Sequence, residues 1–197
     1  MADSRNVIII GGGVVGVCAA YYLFEAGYNV TLLERRQICS GSSHGNAGLI
    51  VPGHSIPLAA PGMVAKGIKW MFDPDSPFYI KPRLDPELLS WLWKFWLNSS
   101  EGQMRKGIPL IRDLSFESLG LFDELAKLDG VDFGYHKKGM MDVFDTQDSF
   151  DAACKEAEVL INYGLTIDLL SPGEINDLLP RLDINAVGGD ILKSCGW

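Results

Sequence analysis

The sequence predicts an α/β fold: a β–α–β unit with parallel strands at the start, followed by a mixed α+β region. Three observations carry that prediction. The apolar run Val7-Ile8-Ile9-Ile10 leads directly into the glycine-rich turn Gly11-Gly12-Gly13-Val14-Val15-Gly16. A helix-spaced segment containing Ala20 and Leu23 ends at Gly27, and a second apolar run, Val30 to Leu33, is closed by Glu34. Beyond residue 84, stretches with apolar residues at helical spacing alternate with short strand-like ones. With 197 residues, 47% of them hydrophobic, the chain can bury a core.

Each part of the opening has a chemical reason. Glycines 11, 13 and 16 form G-x-G-x-x-G: Gly11 permits the tight turn, Gly13 lets a pyrophosphate approach the backbone, and Gly16 allows close packing of helix on strand. The free N–H groups and the positive end of the helix macrodipole stabilise phosphate without a basic side chain. Glu34 lies eighteen residues after Gly16. One helix and a return strand bring its carboxylate beside the first turn, where it can accept hydrogen bonds from a ribose diol. Strand, turn, helix, strand and acid in this order read as a Rossmann-like unit for an adenine dinucleotide. Glu34 repels a 2′-phosphate, which favours FAD or NAD over NADP, although Arg35 and Arg36 beside it act in the opposite sense.

After the second strand the character changes. Gly41 to Gly48 is small and polar, and Ser42, Ser43 and Asn46, with Ala47 and Gly48, could lie against a planar ligand and donate hydrogen bonds to phosphate, ribityl or ring oxygens. Such a cluster is also what an ordinary loop looks like. Pro74 to Pro86 holds four prolines, and the spacing places a boundary there: a first domain over 1–83, a second over 84–189, and an atypical tail over 190–197 that shows neither strand nor helix pattern.

Asp85 precedes a helix over 86–97 in which Leu88, Leu89, Trp91, Leu92, Trp93, Phe95 and Trp96 occupy more than half the circumference. Burial in the second domain is one reading of that face; contact with a membrane surface is the other. Four of the five tryptophans fall at 70–96, and residues 66–112 carry eight basic against five acidic side chains, while 113–197 carry six against seventeen. Interfacial segments combine aromatics with Lys and Arg in this way. A helix follows over 108–128, then strands over 131–135 and 140–144, a helix over 150–163 ending at Gly164, and an extended segment over 165–170. Ser171 and Glu174 form a capping box that starts a short helix stopped by Pro180.

Composition removes several classes. A net charge of −8 argues against nucleic acid, which needs clustered Lys and Arg. Cys18, Cys39, Cys154 and Cys195 have no ligand spacing among themselves or with His44, His54 and His136, so no metal site is expected and the thiols read as reduced and structural. The start has neither the basic region nor the cleavage site of a signal peptide, and no run approaches the roughly 20 apolar residues that span a bilayer. A cytoplasmic protein is expected.

The G-G-G-V-V-G turn, Glu34, Ser42-Ser43, Asn46-Ala47-Gly48, Pro52-Gly53, Pro57-Leu58-Ala59-Ala60-Pro61-Gly62 and Ile68-Lys69-Trp70-Met71-Phe72 together resemble the FAD-dependent amino-acid oxidoreductases, which include D-amino-acid oxidase, glycine oxidase and bacterial D-amino-acid dehydrogenase. The likeness is strongest to the last and runs, more loosely, to about residue 189. It implies a Rossmann-like FAD-binding domain with an inserted α+β substrate domain, and it places Gly11, Gly13, Gly16, Glu34, Ser42, Ser43, Asn46 and Gly48 on positions that surround FAD, with Gly12, Val14, Val15, Arg35 and Ala47 between them. It also implies oxidation of the Cα–N bond of an amino acid to an imino acid, hydrolysed to a 2-oxo acid and ammonia. Electrons would pass to a quinone-type acceptor, with peripheral contact at the inner face of the cell membrane through residues 70–97. In the family, the carboxylate-binding groups and a second glycine segment come from a later half that this sequence does not match, so the C-terminal part of the fold is expected to be missing and no catalytic residue is nominated. His54 and Tyr135 are the polar groups to inspect, each with a structural role as the plainer reading. Two other readings stay open: an NAD-binding dehydrogenase domain, which leaves the Asn46 and Pro57–Gly62 segments unexplained, and a non-catalytic chain that pairs with a partner supplying the missing half.

Overall fold

The computed structural model describes residues 5–70, 85–182 and 184–197. The chain divides into two compact units, Met1–Leu49 and Ile50–Trp197. The expected boundary at 83/84 and the proline-rich linker over 74–84 lie outside the described residues, as do Met71 and Phe72.

In the first unit, β1 (Asn6–Ile10), α1 (Val14–Glu25) and β2 (Asn29–Leu33) form the expected β–α–β. The strands pair in parallel with Val7 opposite Val30 and Ile10 opposite Leu33. Strand alternation sends Val7, Ile9, Val30 and Leu32 to the more protected face and leaves Ile8, Ile10 and Leu33 exposed on the other. The unbroken apolar run of β1 reads as a buried strand; the structure covers one face only, and Ile10 is 87% exposed.

The second unit holds an antiparallel sheet of order β3-β5-β4, made of β3 (Met140–Phe144), β4 (Ile167–Leu170) and β5 (Gly188–Leu192). Against it lie α5 (Gln147–Asn162) and α6 (Pro172–Leu178), and the unit also holds α2 (Met63–Trp70), α3 (Pro86–Asn98) and α4 (Glu101–Leu125). Ile108, Leu160, Leu165, Leu192 and Cys195 form its core. Burial pushes the Cys195 thiol up to about 11, so it stays protonated and packs as a small hydrophobe.

Four differences from the sequence reading have identifiable causes. The expected helix over 108–128 begins at Glu101, capped by Ser100, and carries Pro109 inside it. Pro109 has no N–H for the Arg105 carbonyl, and the Tyr163 hydroxyl donates to that oxygen instead at 3.3 Å. Residues 131–135 are not a strand: Gly130 and Gly134 have φ of 75° and 70°, which breaks the extended backbone, and Phe133 and Tyr135 instead pack against Phe122. The atypical tail is structural. β5 is the central strand, Gly196 exchanges backbone hydrogen bonds with Ile50 (2.8 and 3.1 Å), and Trp197 exchanges them with His136 (2.7 and 2.9 Å). Finally, α2 has no counterpart in the sequence reading.

Other elements follow the sequence. Asp85 accepts from the N–H groups of Glu87 and Leu88 and caps α3. The Ser171 and Glu174 capping box is reciprocal, with Ser171 N donating to Glu174 Oε2 at 2.8 Å and Glu174 N to Ser171 Oγ at 3.4 Å.

Candidate cofactor site

The site forms where β1 runs into α1. Gly11 takes φ +108° and donates its N–H to the Leu33 carbonyl at 2.8 Å, which ties the turn to the end of β2. That backbone angle is open to glycine and strained for other residues. A Cβ on Gly16 would lie 1.9 Å from the Gly11 carbonyl oxygen, so only glycine lets α1 start this close to the turn. A Cβ on Gly13 would meet Ser43 Oγ at 3.1 Å, and one on Gly12 would lie 2.5 Å from Ile38 Cδ1. Gly13 is the N-cap of α1 and offers no side-chain acceptor, and the first turn carries no acid. The dipole end of α1 is therefore uncompensated by any carboxylate of its own helix, which suits an anion.

Glu34 is where the sequence places it. Its Oε2 accepts from Gly12 N at 2.7 Å and its Oε1 from Arg36 N at 2.9 Å. The Gly12 N–H, and after it the Arg36 N–H, hold the carboxyl below the usual glutamate range. The carboxylate is thus ionised and oriented, and each oxygen keeps a further lone pair that could accept a ribose hydroxyl.

The loop 41–48 contributes unevenly. Ser43 Oγ accepts from Val14 N at 2.9 Å, which brings the hydroxyl to the N-terminus of α1. Asn46 Oδ1 accepts from Gly48 N at 2.6 Å, an Asx turn closed by Gly48 at φ +68°. Ser42 is exposed. Ala47 makes no polar side-chain contact by its nature, and Arg35 adds a favourable charge near Glu34. The sequence reading overlooks residues 37–39: Cys39 donates its N–H to the Gly12 carbonyl at 2.8 Å and sits at φ 58°, so this segment closes over the glycine turn. A non-glycine residue in that conformation has no sequence signal of its own.

The second unit has its own concavity, a cleft of about 440 Å³ whose lining includes Gly53, His54, Asp142, Ser149, Glu156 and Asp190. Asp142 and Asp190 face each other across the β3–β5 pair. Burial, then the nearby Asp142 and Glu156 carboxylates, pushes Asp190 up to about 6, with His54 acting in the opposite sense. Among the described residues, no lysine or arginine lines this cleft, so they offer no partner there for a substrate carboxylate. Tyr135 is a structural residue: its hydroxyl donates to Asp123 Oδ1 at 2.9 Å, and burial foremost raises it to about 12.

A glycine turn on a parallel strand pair, with an ionised acid tied back to that turn, defines a dinucleotide-binding protein of the Rossmann type. The class narrows further. The DAO family profile, FAD dependent oxidoreductase, matches residues 6–197, and the chain belongs to that family. It is 36% identical over 169 residues to the D-amino acid dehydrogenase of Methylobacterium nodulans and 36% identical over 168 residues to that of Methylobacterium radiotolerans, covering 85% of this chain in both cases. It spans 40% of the length of each of these relatives. Among solved structures, glycine oxidase from Bacillus cereus matches 98% of this chain with a TM-score of 0.63 at 20% identity, over 39% of its own length. L-proline dehydrogenase from P. horikoshii matches 100% of it with a TM-score of 0.62 at 18% identity, over 38% of its own length. The family is FAD-dependent, and the fold is shared with these solved structures.

Proposed function

We propose that residues 11–48 hold the ADP part of FAD, with Gly11, Gly12, Gly13, Val14, Val15 and Gly16 against the pyrophosphate, Glu34 and Arg35 at the ribose, and Ser42, Ser43, Asn46, Ala47 and Gly48 along the cofactor. The Glu34 carboxylate, fixed at 2.7 Å on the Gly12 N–H while ionised, is the observation that carries this reading. FAD, when bound, supplies the hydride acceptor, and the protein's share is binding and orientation. The proposed reaction is oxidation of an amino acid, a D-amino acid by likeness to the dehydrogenases, at its Cα–N bond, giving an imino acid that water converts to a 2-oxo acid and ammonia. A quinone-type compound is the proposed electron acceptor.

Titration of the purified chain with FAD, followed by flavin fluorescence polarisation, tests the site. Saturable binding is expected, weakened roughly tenfold in Glu34→Ala, on the scale of one lost charge-assisted hydrogen bond. Binding of NAD without FAD would overturn the flavin assignment.

A second reading has its own observation. Ile8, Ile10 and Leu33 form an exposed apolar face on a parallel sheet, which is ordinarily covered on both sides. We infer that a further stretch of polypeptide completes this unit, and that catalysis needs it. Dye-linked oxidation of D-alanine or D-proline should be absent with this chain alone and appear on adding the part of the M. nodulans relative beyond the matched stretch. Equal activity with and without that addition would refute the requirement.

A further inference from the structure

We infer that Ile38 is a positioning residue for the ribose-binding acid: its side chain closes over Gly12 and so keeps the Gly12 N–H aimed at the Glu34 carboxylate. This role rests on the reading of Glu34 as the ribose acceptor and adds a residue that acts through it. Gly12 is the only buried residue among the described residues of the first unit, and three side chains cover it. A Cβ at Gly12 would lie 2.5 Å from Ile38 Cδ1 and 3.2 Å from both Glu34 Cβ and Leu32 Cδ2. Leu32 belongs to β2 and Glu34 follows that strand directly, so both arrive with the sheet. Ile38 comes from the loop beyond, and two backbone bonds flanking it fix its place. The Arg36 N–H donates to Glu34 Oε1 at 2.9 Å, and the Cys39 N–H donates to the Gly12 carbonyl at 2.8 Å. With the Gly12 N–H on Glu34 Oε2 at 2.7 Å, these bonds form a closed ring. Ile38 seals that ring over the Gly12 Cα.

The turn needs such a seal. Gly12 stands between Gly11 and Gly13, so on its own this is the most freely rotating backbone a chain can have. A carboxylate that offers its remaining lone pairs to a ribose diol must be fixed in direction, and a wandering N–H does not fix it. An apolar cap restricts the turn and keeps water from competing for the Gly12 N–H, which strengthens the bond to Glu34. Cys39 takes φ 58° to make its bond, a conformation that a non-glycine residue adopts only where its surroundings impose it. The ring supplies that constraint. Ile38 is nevertheless 53% exposed. One end of its side chain rests on Gly12 while much of the remainder faces water, so it contributes little as a core residue. Its consequence is the direction of the Gly12 N–H.

Ile38→Val removes Cδ1 alone, the atom that lies over Gly12, and Ile38→Ala removes the γ-carbons as well. The first readout needs no ligand. Carbon-13 NMR titration of the full chain, labelled at its glutamate carboxyls, should find Glu34 below the usual glutamate range in the parent. It should move up towards that range in Ile38→Ala and part of the way in Ile38→Val, because the N–H that favours the charged form is no longer held in line. The second readout is FAD binding by fluorescence polarisation. Ile38→Ala should weaken it about threefold, less than the roughly tenfold loss expected for Glu34→Ala, since it removes only part of what Glu34 supplies. In a Glu34→Ala background the same change should cost nothing further. Ile38→Leu, which keeps a δ-carbon within reach of Gly12, should restore both readouts. Should Ile38→Ala misfold, Ile38→Val decides. A Glu34 titration unmoved in the folded variants overturns the positioning role, and so does an equal loss of FAD binding with and without Glu34. A parent chain that binds no FAD, yet whose Glu34 still moves in Ile38→Ala, would overturn the cofactor reading and leave Ile38 as the residue that fixes the carboxylate.

Discussion

Glu34, directly after β2 in the first unit, and Asp190, in the middle of β5 in the second, are both carboxylates beside a concavity, and their surroundings treat them oppositely. Glu34 is exposed and accepts two backbone N–H groups, so its ionised form is favoured. Asp190 is half-buried beside Asp142 and Glu156, so its neutral form is favoured and its pKa rises to about 6. Backbone dipoles decide the first case, and desolvation with like charge decides the second. The acid beside the glycine turn is therefore the one whose ionised form the backbone both favours and orients. The same contrast extends to packing. The first unit is held by local backbone geometry and exposes one sheet face, whereas the second encloses a side-chain core.

The largest test of that contrast is a pair of truncations. Ile108 is 0% exposed and belongs to the core of the second unit; Ile108→Ala should lower its stability by about 3 kcal/mol, the ordinary cost of emptying a buried aliphatic site. Ile10→Ala, on the exposed face of β1, should cost under about 0.5 kcal/mol in the same chain, as surface substitutions do. Site-resolved hydrogen exchange within each unit measures both. Equal costs would show that the Ile8, Ile10 and Leu33 face is covered in solution.

What the sequence revealed follows the same division. The β1-turn-α1-β2 unit and Glu34 were legible because everything that builds them lies within residues 6–34, and the glycines are required by a positive φ at Gly11 and a collision at Gly16. The Cys39 backbone contact with Gly12 was not legible, since nothing in its side chain demands that conformation. In the second unit, Pro109 imitates the first residue of a helix and hid the two turns before it. β5 was missed for a different reason. Its Gly188 and Gly189 look like a loop, yet a Cβ on Gly188 would strike the Phe150 ring at 2.6 Å and one on Gly189 the Asp142 carbonyl at 2.7 Å. They are glycines because α5 and β3 approach that strand closely, and those neighbours are far away in the chain.

An intermediate effect comes from pH. Because the folded state raises Asp190 above its unfolded value of 3.8, its contribution to stability is fully present below about pH 4 and is lost as pH rises through about 6. Asp190→Asn should remove that decline and stabilise the second unit at neutral pH by on the order of 1 kcal/mol, the full shift being discounted for solvent screening at a partly exposed group. Denaturation curves from pH 4 to pH 8 measure it. Glu34 has the opposite sign: its lowered value makes its contribution present above the unfolded 4.5 and lost as pH falls through the folded value. A parent chain whose second unit gains stability between pH 4 and 6 would break the contrast between the two acids.

The smallest expected effect tests whether a nonlocal side chain replaces a local backbone bond. In α4 the Arg105 carbonyl has lost the partner that residue 109 would supply in a regular helix, and Tyr163 donates to it from just beyond α5. Tyr163→Phe should cost roughly 0.5–1 kcal/mol by leaving that oxygen without its protein donor. In a Pro109→Ala background the N–H returns and takes over the carbonyl, so the same Tyr163→Phe change should cost little. The difference between the two costs is the coupling energy of the pair, read from a double-mutant cycle in chemical denaturation. A Tyr163→Phe cost that is the same in the parent chain and in the Pro109→Ala background would mean that the hydroxyl stabilises by packing, and that α4 tolerates its proline through water rather than through α5.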